Sequence, residues 1–338
     1  MSRTLRIGLL VLLCMSAAVW SVGQTPPPAP LTYTNIDLPG QQQTIVGGIN
    51  DSGEMVGAFR DSAGVQHGYA TSPNGAFRVI DFPGATATLG EGINNRGDIV
   101  GSYADARRRR HGFLLSDGNF TTVDFPAPNA IFNFAADIND RREIAGIYNT
   151  SDGAIHGYLL TADGFTSLDF SPGPFPVTQA FGINNRGQVV GDFDDDLGLH
   201  GFIFRSGALK QVDVPGEQQT GATGISERDE LIGSALDSNF VQHGFLRVKD
   251  TFFLVDFPGA SATAPSKIND RGTIVGRYQD QARSIHSFLA EPGRPDSDAS
   301  ETQNSPVPRE RPTRICGSEE WREHPEDIKD PGSCVIQH

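Results

Sequence analysis

The chain is poor in cysteine, with three in 338 residues, at Cys14, Cys316 and Cys334. Everything between them is thereby excluded from being a disulfide-stapled scaffold or a thiolate metal cluster. It is also poor in charge, at 20%, and above all in positive charge, with 27 Lys and Arg against 41 Asp and Glu. A surface of that sign repels nucleic acid and anionic membranes. After the first 23 residues no long apolar run follows, so no later segment is built to span a bilayer as a helix. Amphipathic helical stretches are missing too, while 39 Gly and 22 Pro punctuate the chain at short intervals. That combination predicts an all-β fold of short strands and many turns.

The one long apolar run, Ile7 to Trp20, follows Arg3 and Arg6 and precedes the small residues Ser21 and Gly23. This is the pattern of a secretory signal peptide over residues 1–23, followed by a Pro-rich linker over 24–31. A membrane anchor is the alternative, for which the run is short. Cleavage would take the formal net charge from -14 to -16, because the removed segment holds two arginines and no acid. The expectation is a secreted or periplasmic monomer without a nucleic-acid partner and without membrane insertion after cleavage. The only basic cluster, Arg107 to Arg110, reads as a solvated loop tip. Residues 292–338 form a polar, Pro-rich tail in which Cys316 and Cys334 are expected to pair, a closure worth about 3 kcal/mol. A zinc site with His324 and His338 is the alternative, at a spacing that fits no usual pattern.

What the sequence has in abundance is self-similarity. GINNRGDIVGSY begins at Gly92 and GINNRGQVVGDF at Gly182. An aspartate followed by an apolar residue and proline begins at Asp37, Asp81, Asp124, Asp213 and Asp256, and Asp169 opens a one-residue variant, so the markers lie 43 to 45 residues apart. Ile followed by Asn or Ser falls at Ile49, Ile93, Ile138, Ile183, Ile225 and Ile268. Six of the eight histidines recur in step: His67, His111, His156, His200, His243 and His286. Six repeats of about 44 residues therefore occupy 32–291.

Each repeat holds four strand signals: the GIN segment, the IVG segment, the HGF or HGY segment and the strand ending in Asp-Phe-Pro. In the last of these both faces carry apolar residues, as in Phe77 to Phe82. Four short strands buried on both faces is the pattern of a propeller blade between two neighbours. The chain starts with a lone Asp-Leu-Pro strand (Tyr33 to Leu38) and ends with a repeat that lacks one. Joining the two predicts a six-bladed β-propeller closed by its N-terminal strand, with no free sheet edge. A β-solenoid satisfies the same period but needs end caps, which the sequence does not show.

These copies of a Gly-Ile-Asn turn, an IVG strand and a His-x-aromatic close resemble the extracellular HAF-repeat family over about Thr32 to Glu291. Gly112 stands where the family name would put alanine, so the chain resembles a variant of it. The resemblance implies an exported repeat protein and no particular activity.

A histidine in every repeat suggests metal, but equivalents on the third strand of six blades lie too far apart to share an ion. Asp61, Asp105, Asp195, Asp237 and Asp280 precede the histidine by five or six residues, with Thr150 in that place beside His156. The pairs are read as structural hydrogen bonds within each blade, and no metal or cofactor is assigned. Asp192 to Asp196 alternates carboxylates in the manner of a calcium loop, but its glycine comes late and Ile203 stands where the loop needs glutamate.

A ligand site belongs where the copies differ. The connection from each Asp-Phe-Pro strand to the next GIN strand is the variable one, and it places Phe132, Phe134, Phe175 and Phe181 in adjacent repeats. Glu91, Asp137 and Lys267 break the repeat just before the GIN segments, the first two out of register by one residue. Two functions follow. The first is a non-catalytic binding module for an extracellular glycan or protein, with the phenylalanines as platform and Glu91 and Asp137 as acceptors. The alternative is a carbohydrate-active enzyme, a glycoside hydrolase or lyase, with Glu91 and Asp137 as its acids.

Overall fold

The computed structural model describes residues 30–293, apart from 39, 42, 73, 74 and 173–175. The signal peptide, Phe175 and the tail with Cys316 and Cys334 lie outside the described residues. Every regular element among the described residues is a β-strand.

Six antiparallel four-stranded blades follow one another along the chain. The fourth blade is typical: Thr178–Ile183 lies innermost, then come Val189–Asp195, Gly198–Arg205 and Ala208–Val212. In the sixth blade the outermost strand is Leu31–Asn35, which pairs antiparallel with Ile285–Pro292 at the other end of the chain. The closing strand expected from the unpaired Asp-Leu-Pro segment is thus in place. A parallel bridge between Phe132 and Arg110 joins the second and third blades into one continuous sheet.

The blades are held by six apolar layers, one per interface. Val56, Ala70 and Ile80 of the first blade meet Ile93, Ile99 and Phe113 of the second. The same arrangement recurs until Val275 of the sixth blade packs on Val46, Ile49, Phe59 and Tyr69 of the first. The phenylalanine of the Asp-Phe-Pro motif is the wedge between neighbours: Phe82 stacks on Tyr103 with ring centroids 3.6 Å apart, and Phe257 on Tyr278 at 3.7 Å. Glycine in the IVG segment allows the second strand to lie this close, since a Cβ on Gly101 would sit 2.0 Å from the Leu89 carbonyl oxygen.

Closure is written in hydrogen bonds at one mouth of the channel. Asn50 binds its own turn through Oδ1, which accepts from the Ser52 and Glu54 amides, and donates through Nδ2 to the Asn94 carbonyl at 3.2 Å. Asn94, Asn139 and Asn184 repeat the move, and Asn269 returns it to the Asn50 carbonyl at 3.0 Å. Ser226 is too short to pass it on. A second circle has no gap: the amide of each following residue donates to the side chain at the same position one blade on, through Asp51, Asn95, Asp140, Asn185, Glu227 and Asp270 and back to Asp51. A solenoid would leave the last link open.

Candidate functional site

Every innermost strand carries a bulge just before its Gly-Ile-Asn segment. The bulged position is Gly47, Glu91, Ala136, Phe181, Thr223 or Ser266 in blades one to six, and the next is Gly48, Gly92, Asp137, Gly182, Gly224 or Lys267. The second set forms a collar around the axis. Adjacent strands approach so closely there that a Cβ on Gly92 would meet the Asp137 Cα at 2.8 Å. Only two collar positions carry side chains, and they belong to the third and sixth blades, which face each other across a six-membered ring.

Asp137 and Lys267 therefore meet over the axis, Nζ to Oδ2 at 3.4 Å. Asp137 Oδ2 also accepts the Ile183 amide at 3.0 Å, and Lys267 donates to the carbonyl oxygens of Phe181 and, at 3.4 Å, Thr223. Burial pushes the Asp137 carboxyl above its ordinary range despite the adjacent lysine. This bar divides the channel. On the side of the asparagine circle remains a space of about 70 Å³ lined by Asp137 and the turn residues. On the other side lies a cavity of about 630 Å³, lined by Glu91, Phe134, Phe181, Asp192, Lys267 and Arg277 among others.

The large cavity is asymmetric for a reason visible in the repeat. Two residues before the bulge stand Ile45, Leu89 and Phe134 in the first three blades, but Gly221 and Ala264 in the fifth and sixth. Small residues open the cavity towards the fifth blade, where Ser234, Leu236 and Gln242 come into its wall. Its floor is Lys267, held in place by Asp137 beneath it.

Of the residues expected at the site, Phe134 and Phe181 line this cavity, and Phe132 lies nearly parallel to Phe134 at 6.3 Å between centroids. All three sit on innermost strands, Ala130–Ile138 and Thr178–Ile183, rather than in loops as the sequence suggested. Alternation places Phe132 and Phe134 on one face, and the bulge turns Phe181 into the channel. Glu91 lines the large cavity, while Asp137 lines the small space beyond the bar, although its charge still reaches Glu91 and adds to the rise of that carboxyl. The one-residue offset is the cause of the separation: Glu91 occupies the bulge and Asp137 the collar.

Burial pushes the Glu91 carboxyl up to about 7, in spite of Lys267, Arg277 and Arg110 nearby. Its oxygens accept no hydrogen bond from a described residue. Arg110, read as part of a loop tip, instead starts the strand Arg110–Ser116 and donates to Ser102 at 2.9 Å. Asp192 was missed as a site residue. The Asp192–Asp196 stretch is the end of the strand Val189–Asp195 and its hairpin turn, and Asp192 points into the cavity wall. Its side chain sits in a residue only 6% exposed, Oδ1 has no partner, and burial with Asp194 adding to it pushes the carboxyl up to about 7. The signal was present: the residue after the IVG glycine is Ala58, Ser102, Ile147, Ser234 and Arg277 in the other blades, so a carboxylate there is an anomaly.

The recurrent histidines lie elsewhere, on the blades' third strands. Each Nδ1 faces the Asp-Phe-Pro aspartate of its own blade at 2.5 to 3.1 Å, a partner the sequence reading did not name. Each Nε2 faces Asp61, Asp105, Asp195, Asp237 or Asp280 at 3.2 to 3.9 Å, or Thr150 at 3.3 Å. The Asp81 hydrogen bond raises His67; at His200 and His286 burial is the largest single influence and lowers them, but Asp213 with Asp195, and Asp37 with Asp280, together outweigh it. No group of three or more His, Cys, Asp or Glu among the described residues is arranged to hold a metal ion.

The raised carboxyls make a testable demand. A folded-state value near 7 against an unfolded value near 4 leaves the fold unpenalised below about pH 4 and costs it progressively as pH rises to about 7. Asp192→Ser, the residue of the second and fifth blades at this position, is expected to raise stability at pH 8 by about 2 kcal/mol and to change it little at pH 4. Denaturant melts at the two pH values check it. An equal effect at both would mean that the buried charge is not the cause.

Fold and site together define a six-bladed β-propeller with an axial cavity closed at its floor by an ion pair. No protein-family model and no curated protein matches the chain. Among solved structures it is similar to AofleA from Arthrobotrys oligospora, at 12% identity over 77% of this chain and 86% of that one, TM-score 0.48. It is similar to the fucose-specific lectin from Aleuria aurantia at 12% identity over 78% and 100%, TM-score 0.43. The gluconolactonase XC5397 from Xanthomonas campestris scores alike, 11% identical over 75% and 88%, TM-score 0.44. Likenesses at this level say nothing of what the chain binds.

Proposed function

We propose that the protein is an exported, non-catalytic binding module of the HAF-repeat type whose axial cavity takes an extracellular glycan. The observation that carries this reading is the composition of the cavity: about 630 Å³, with Phe134 and Phe181 in its wall and the unpartnered carboxylate of Asp192 beside them. Sugar rings offer an apolar face for aromatic side chains and a rim of hydroxyls that both donate and accept. Glu91 and Asp192 supply acceptors and Arg277 donors. The volume suits one to three sugar rings. Export is supported by the N-terminal charge and apolar pattern.

A carbohydrate-active enzyme is the second reading, favoured by one observation, that Glu91 sits near neutrality and so holds a proton to give. Asp137 argues against it, since its charge and its Oδ2 are committed to Lys267 and the Ile183 amide. The two readings separate on one set of proteins. A glycan array with wild type and with Phe134→Ala/Phe181→Ala is expected to show binding that the double variant loses by about tenfold or more. Equal binding by a folded double variant would place the site elsewhere. Turnover of a bound glycan that disappears in Glu91→Gln would replace the module by the enzyme.

A further inference from the structure

We propose that Asp192 anchors a subsite for a protonated amine, so that the glycan taken by the axial cavity is an amino sugar; this rests on the glycan reading above.

The repeat shows what Asp192 lacks. In the second blade the equivalent Ser102 receives Arg110 Nη1 at 2.9 Å, and in the fifth Ser234 receives Gln242 Nε2 at 2.8 Å. The donor in each case is the residue preceding the recurrent histidine. In the fourth blade that residue is Leu199, which has nothing to donate. A carboxylate has thus been placed where that donor is missing, and the Gln179 amide directly across the strand pair makes no hydrogen bond to it. It is 6% exposed, and Oδ1 is enclosed without a partner. No cation compensates: the charge that acts on it is that of Asp194, which is negative. Of the cavity's two cations, Lys267 is held by Asp137 and two carbonyls, and Arg277 acts on Glu91.

Access is provided by the fifth blade. Gly221 brings no side chain over the carboxylate, where a Cβ would lie 3.0 Å from Oδ2, and Oδ2, unlike the enclosed Oδ1, is the oxygen that a ligand reaches. A hydroxyl donated by a neutral sugar would supply one hydrogen bond and leave the buried charge in place. An ammonium group supplies up to three donors and cancels the charge, which is what a desolvated, unpaired carboxylate requires.

Calorimetric titrations with glucosamine oligomers of three to four units, their fully N-acetylated counterparts and glucose oligomers of equal length test this. The proteins are wild type, Asp192→Asn and Asp192→Ser. Glucosamine oligomers are expected to bind wild type at least about tenfold more tightly than both neutral series, and both variants, folded as wild type, to lose that preference. Neutral oligomers binding wild type as tightly as glucosamine oligomers, or a preference that survives in both variants, would overturn the amine subsite and leave the glycan reading standing. Spermidine binding as tightly as glucosamine oligomers, sensitive to Asp192→Asn and with no neutral oligomer bound, would keep the amine subsite and remove the sugar. No binding of any glucosamine oligomer to wild type overturns the proposal.

Discussion

Removal of residues 30–38 is expected to lower the melting temperature by 10 °C or more and to make the protein self-associate. The segment is the outer strand of the sixth blade, paired in register from Leu31 with Pro292 to Asn35 with Phe288. Tyr33 meets Phe257 edge-on at 5.7 Å and packs against Phe288 at 5.9 Å; Ile36 and Leu38 lie against the first blade's core. Four partly buried apolar side chains and a strand of ladder bonds contribute on the order of 5 kcal/mol, and each kcal/mol shifts the midpoint by about 2 to 4 °C in a domain of this size. The loss also bares the edge of Ile285–Pro292, which invites pairing between molecules. Thermal melts and light scattering read both effects, and a peptide of residues 30–38 added in trans is expected to reverse them. A truncated protein that stays monomeric and melts unchanged would mean that this strand does not close the ring.

Closure was legible in the sequence because it depends on order alone: the markers recur every 43 to 45 residues, and one strand is spare at the front. The blade was legible because strand periodicity and turn residues are local. The partners of the repeated polar residues were less so. His67 finds Asp61 six residues before it and Asp81 fourteen after, and only the near one is suggested by hairpin spacing, although the far one makes the shorter contact, 2.6 Å. Buried Thr44, Thr88, Asn133, Thr178, Thr220 and Thr263 each accept the amide that follows an Asp-Phe-Pro aspartate, a six-fold pattern carried by residues too ordinary to stand out.

The site was legible as a list of exceptions and illegible as an arrangement. Glu91, Asp137 and Lys267 interrupt the repeat in the same few positions, so sequence picks them out together. Which of them meet depends on two things sequence does not display. One is the bulge, which sends Glu91 and Asp137 to different levels of the channel although they are one register step apart. The other is the angle between blades: the third and sixth are opposite, so residues 130 positions apart converge on the axis. Asp192 escaped for a different reason. Its importance lies in a partner that is missing, Leu199 in place of a donor, and aligned repeats show both exceptions but not that a side chain at the one position bonds the other.

Replacing Lys267 with methionine is expected to cost about 3 to 5 kcal/mol, because Asp137 is left in the collar with its charge unpaired. Asp137→Gly alone strands the ammonium in the same way, although Lys267 keeps the carbonyl oxygens of Phe181 and Thr223 and the cost is smaller. The double variant Asp137→Gly/Lys267→Gly restores the residue that the other four blades carry at this level. It is expected to lie within about 2 kcal/mol of wild type, so that the two changes together cost less than Lys267→Met alone. Denaturant titration of these variants and of Lys267→Gly at pH 7 measures the coupling. The double variant also removes the bar between the two spaces on the axis, leaving a channel lined by glycine at all six collar positions. If a glycan is held in the large cavity above the bar, its affinity is expected to fall in the double variant although the fold is kept, since the floor of the site has gone. A coupling near zero would show that the pair is not the axial tie that its geometry describes, whatever the cavity binds.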